Sequence, residues 1–101
     1  MFTLKDARQG QVLWLLDVAG VQWLVIYKKR VVKKLYVFAA CSPERFYITL
    51  PNQAWGRVNH IMECSPVTQD QSEYFFRRMS DAGYTWDAKN KELVVKKANR
   101  N

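Results

Sequence analysis

The chain of 101 residues has two cysteines, one histidine, four glycines and three prolines. Each scarcity excludes something. Cys41 and Cys64 can make at most one bridge, so the disulfide framework of a small secreted domain is ruled out. Both are expected as reduced thiols, acting as small apolar side chains. His60, even joined by Cys64 and Cys41, falls short of the ligand set of a structural zinc site, and the tight Cys-x-x-Cys spacing is missing. Nor do His60 and Cys64 read as base and nucleophile: on a strand, their Cα atoms would stand roughly 13 Å apart. The four glycines (10, 20, 56 and 83) form no phosphate-cradling loop, and the nine carboxylates are scattered. The expectation is a protein that is not an enzyme and holds no cofactor or metal.

Long apolar runs are also lacking. The longest is Leu35–Cys41, against the roughly 20 residues that a membrane-spanning helix takes. Lys5, Asp6 and Arg8 interrupt the opening segment, so no secretory signal is read there, and a cytoplasmic protein without a membrane partner is expected.

What the chain does have is apolar residues at 49%, aromatics at 14% and a net charge of +7. This is enough to bury the core of one domain over residues 1–101. The region 11–62 is strand-rich. β-branched and aromatic residues mark 11–17, 21–27, 35–41, 46–50 and 58–62 as strands, punctuated by Ala19-Gly20, Ser42-Pro43-Glu44 and Pro51-Asn52. The first strand is apolar at both parities, with Val12, Trp14 and Leu16 on one face and Leu13 and Leu15 on the other. A sheet with one wet face would alternate, so these strands either curl into a barrel or carry a helix on the second face.

Residues 68–82 read as that helix. Thr68-Gln-Asp-Gln71 is a capping box, Phe75, Met79 and Ala82 share a stripe, and Gly83 can close the end in a left-handed conformation. Residues 84–97 read as a hairpin turning at 88–91, with Asn90 suited to a left-handed position and Tyr84 and Trp86 set across from Leu93 and Val95. Residues 98–101 are a polar tail. The expected fold is α+β: a small, strongly bent antiparallel sheet or SH3-like barrel, one packed helix and a C-terminal β-hairpin.

The charge is clustered. Lys28, Lys29, Arg30, Lys33 and Lys34 lie within seven residues that hold no anion, and a second basic stretch contains Lys96 and Lys97. The first cluster falls between two strands and reads as an exposed hairpin tip. Such a ribbon can neutralise phosphates and fits a DNA major groove. Trp23, Tyr27 and Tyr36 flank it and offer stacking surfaces for unpaired bases. Trp55 beside Arg57 reads either as a binding hot spot or as a ring closing one end of a barrel. Two partners suit this surface, a nucleic acid held through its phosphates or an acidic protein of the host. A third reading gives the lysines only a solubilising role at a sheet edge. A free strand could also pair with a second copy, making a homodimer.

The opening Phe2-Thr-Leu-Lys-Asp6 with Gly10-Gln-Val-Leu-Trp14 resembles the start of small uncharacterised proteins carried by enterobacterial phages and prophages. Phe75-Phe-Arg-Arg-Met79, followed by Gly83-Tyr84 and Trp86-Asp87, resembles segments of phage-encoded proteins in which a Gly-Tyr-x-Trp-Asp phrase precedes a short terminal strand. The resemblance implies an accessory protein acting in a bacterial cytoplasm and assigns no functional residue.

Overall fold

A computed structural model of the chain describes residues 1–96. Lys97, read above as the end of the hairpin and as a candidate binding residue, and the tail 98–101 lie outside the described residues. The strands are β1 (Val12–Asp17), β2 (Gln22–Val31), β3 (Lys34–Cys41), β4 (Phe46–Ile48), β5 (Gly56–Arg57), β6 (Ile61–Pro66), β7 (Tyr84–Asp87) and β8 (Glu92–Val95), and the helix is α1 (Gln69–Asp81). The first six strands form one antiparallel sheet in the order β4-β3-β2-β1-β6, with β5 also paired to β3, while β7 and β8 form a separate hairpin.

Of the two expected arrangements, the antiparallel sheet with one packed helix and a C-terminal hairpin is present, and the barrel does not form. Among the described residues β4 and β6 are the two ends of the sheet and do not pair, so the sheet is open. The apolar residues of both parities are instead covered by other elements. On one face Leu13, Leu15, Val25, Leu35, Val37 and Ala40 form a core under Leu4, Trp55, Val58 and Ile61. On the other, Leu24, Ile26, Ala39 and Cys41 pack against Phe75 and Met79 of α1, with Tyr84, Trp86 and Leu93 alongside. A face that carries a helix and a hairpin needs no closure to stay dry.

Local chemistry accounts for the element ends. Asp17 Oδ1 accepts the N–H groups of Ala19 and Val21, each at 2.9 Å, and Gly20 takes φ 82°, which turns the chain from β1 into β2. Thr68 Oγ1 accepts the Gln71 N–H while Gln71 Oε1 accepts the Thr68 N–H, closing the capping box of α1. Gly83 follows at φ 96°. Tyr84↔Val95 and Trp86↔Leu93 are rungs of the C-terminal hairpin.

Several local details differ from expectation. β2 runs on to Val31, because the hairpin turn is only Val32-Lys33. Residues 58–60 form a 3-10 turn, and the strand that follows is Ile61–Pro66. Ala82 is exposed rather than on the core stripe, since it caps the helix instead of continuing it. The left-handed residue of the last turn is Lys91 at φ 52°, not Asn90, whose N–H and side-chain amide both go to Asp87.

Among the described residues no helix is long and apolar enough to cross a membrane. Cys41 and Cys64 are free, one in each core, on opposite faces of the sheet. Burial pushes both thiols above their ordinary range.

Candidate functional site

β1 ends its pairing with β2 at Val12↔Ile26, so the outer half of the β2–β3 hairpin extends beyond it. This outer half is not a free ribbon. β5 lies beside β3 with Lys34↔Arg57 and Leu35↔Gly56 in register, and the Val58 N–H donates to the Lys33 carbonyl at 2.8 Å. The basic tip is therefore three-stranded almost to its turn. That width corrects the picture of a two-stranded ribbon seated in a major groove.

Register decides where each cation lies. Leu35 and Val37 belong to the core face opposite α1, so Lys34 and Tyr36 lie on the α1 face. Their partners are Val31 and Lys29, which share that face, and Arg57 joins Lys34 there. Lys28 sits at a bulge between the Tyr27↔Val37 and Lys29↔Tyr36 rungs. Its ammonium lies over the Phe38 ring at 5.3 Å and donates to the Pro51 carbonyl at 2.7 Å. The Lys29 ammonium lies over Tyr36 at 5.0 Å. Lys28, Lys29, Lys34 and Arg57 thus gather on one face, and ring faces hold two of the ammoniums in place.

The remaining candidates disperse. Arg30, paired with Leu35, belongs to the opposite face and lines a cleft of about 470 Å³ with Phe2, Lys5 and Cys64. Lys33 stands exposed at the turn beside Val32, whose φ of 56° is unusual for a β-branched residue. The Lys96 ammonium is tied to Ser80 Oγ at 2.8 Å and its N–H to the Gly83 carbonyl, at the helix end of the C-terminal hairpin.

The structure adds one cation that the sequence did not single out. Gly10, at φ 89°, donates its N–H to Tyr27 O, and the side chains of Trp86 and Lys91 pass within 3.5 and 3.7 Å of where its Cβ would stand. Trp86 in turn contacts Phe38, with ring centroids 5.0 Å apart. Lys91 therefore enters at the Tyr27–Lys28 end of the basic face. In the sequence Lys91 belongs only to the second basic stretch, and nothing there joins it to the first.

The three aromatics expected to stack on bases beside the tip are not free to do so there. Tyr27 is buried, Tyr36 is covered by Lys29, and Trp23 lies on the opposite face. On that face Trp23 meets Trp55 edge to face at 5.0 Å and Tyr47 at 5.9 Å. Trp55 is half-buried against the core, so it closes this face rather than standing out as an isolated exposed ring. The Trp23 Nε1–H donates to Asp17 Oδ2 at 2.9 Å, and this bond, with the backbone N–H groups of the turn, lowers the Asp17 carboxyl below its usual range.

Among the described residues no three of His, Cys, Asp and Glu come together as a metal site. His60 is exposed on the 3-10 turn, and its carbonyl accepts the Val18 N–H. No family model, curated protein or solved structure matches the chain.

Proposed function

We propose that this protein binds nucleic acid through its phosphates, using Lys28, Lys29, Lys34 and Arg57, with Lys33 and Lys91 at the margins. We place it in the cytoplasm of a bacterial host, as an accessory protein of the phage type that the sequence resembles. One observation carries the reading: Lys34 and Arg57 face each other in register on a surface that already holds Lys28 and Lys29. Like charges set opposite one another on a ladder destabilise it, so a polyanion that lies across them relieves a cost already present in the fold. The surface is broad and carries cations without a groove-reading element, which suits phosphate contacts rather than base-edge readout.

The test is binding of a labelled duplex and a labelled single strand against salt. About five phosphate contacts give a slope near −4.5 in log K against log salt for duplex DNA, at ~0.9 per contact. The variant Lys29→Ser, Lys34→Ser, Arg57→Ser should lower that slope by roughly 3. Arg30→Ser, on the other face, should change it by less than one of these three residues does. Absence of binding near physiological salt, with the triple variant losing an acidic protein partner instead, would overturn the reading in favour of protein docking.

A further inference from the structure

We propose that the cleft between Trp23, Tyr47 and Trp55 receives one unpaired base of a single strand whose phosphates lie on the basic face. This rests on the nucleic-acid reading above and deepens it, by making the preferred ligand single-stranded. The cleft has a volume of about 270 Å³, and besides the three rings Ile48, Thr49, Gln53 and Ala54 line it. No lysine, arginine or carboxylate lines it, so it suits a neutral, flat ligand. A free organic cation would also be drawn to ring faces, but the net charge of +7 works against it and works for a base that arrives attached to phosphates.

The walls are set before a ligand arrives. Asp17 holds Trp23 by its indole N–H and is itself held by the N–H groups of Ala19 and Val21. Ala40, directly between Val25 and Tyr47 in one row of the sheet, is the smallest fully buried residue of this core, which leaves room above it for the rings. Gln53 turns its carbonyl toward the Leu50 N–H at 3.5 Å, leaving its amide N–H groups for a base edge.

Arg57 joins this cleft to the basic face. It stands opposite Lys34 on β5, and it also lines the hollow on the far side of Trp55, together with Trp23 and His60. A strand leaving the lysines therefore rounds the sheet at β5 and meets the Trp55 ring next. Stacking of a base on such rings is sequence-tolerant, in keeping with a surface that reads no base edges elsewhere.

The experiment compares a labelled oligothymidine with an abasic strand of the same length and phosphate count, by fluorescence anisotropy at several salt concentrations. The wild type should bind the base-bearing strand about tenfold more tightly, the gain of one stacked base. Tyr47→Leu should erase that preference and keep the salt slope. Tyr47 is 39% exposed, so this variant folds even where Trp55→Leu does not. Equal binding of the two strands by the wild type, with a steep salt slope intact, would overturn the cleft and leave the basic face standing. Flat, salt-independent behaviour with both strands would overturn the nucleic-acid reading and the cleft with it.

Discussion

Lys34 and Arg57 occupy opposite positions on the β3–β5 ladder, two cations in register at an exposed end of the sheet. β5 is only two residues long, so this rung is half of its pairing with β3. The fold accepts a repulsive rung here, where an opposite charge would serve it better.

Arg57→Glu should therefore stabilise the protein by ~0.2–1 kcal/mol, by converting a like-charge rung into an attractive one. The same change should weaken nucleic-acid binding, since it removes one phosphate contact and adds an anion. Urea midpoints and binding isotherms for one variant check both halves. A stability loss together with unchanged binding would show that the two side chains do not face each other.

A second prediction concerns acid. The folded Asp17 carboxyl titrates below its ordinary value of 3.8, chiefly because of the Trp23 hydrogen bond. A depressed folded value means that the contribution of Asp17 is fully present above the unfolded carboxylate range and is lost as pH falls through the lowered value. The stability gap between wild type and Asp17→Asn should then be constant from neutral pH down to about pH 5 and should shrink below pH 4. Denaturant titrations across that range measure it, and a gap that widens on acidification would show that folding does not favour the ionised Asp17 carboxylate.

A third prediction concerns the helix. Phe75 is fully buried against the sheet, where its ring meets Phe46 of β4, and Arg77 is exposed on the other side of α1. Phe75→Ala should cost ~3–5 kcal/mol, and Arg77→Ala should fall within ~0.5 kcal/mol of wild type. Reversed costs in a denaturant titration would put the buried face of α1 elsewhere.

The parts of this fold legible in the sequence are those specified by near neighbours. The capping box at Thr68 and Gln71, the turn held by Asp17 and the rungs of the last hairpin each need only a few consecutive residues. The choice between an open sheet under a helix and a barrel was not legible, because apolar residues at both parities of β1 report that two faces are dry and do not say what covers them. β5 was hidden for a related reason: a two-residue strand in a polar loop has no period, and only its bonds to Leu35 and Lys33 define it. The basic cluster itself was evident, but its division between faces was not. Simple alternation assigns Lys28 and Lys29 to opposite sides, whereas the bulge brings them to one. The placing of Lys91 beside them depends on Gly10, which is far from it along the chain.

The irregularity in the β2–β3 ladder is itself orderly. Lys28 is the unpaired residue on one strand and Phe38 the unpaired residue on the other, and the lysine lies over the ring. With both removed, Ile26↔Ala39, Tyr27↔Val37 and Lys29↔Tyr36 become consecutive rungs, each side chain still on its present face. The hairpin is thus a regular ladder interrupted by two successive bulges, one on each strand, on either side of the Tyr27↔Val37 rung. Losing either residue alone would leave a single bulge, while losing both would restore an uninterrupted ribbon that is shorter by one cation and one ring. Phe38 also packs beside Trp86 against the α1-side core, so the reach and charge of the tip are tied to how the C-terminal hairpin seats on the sheet.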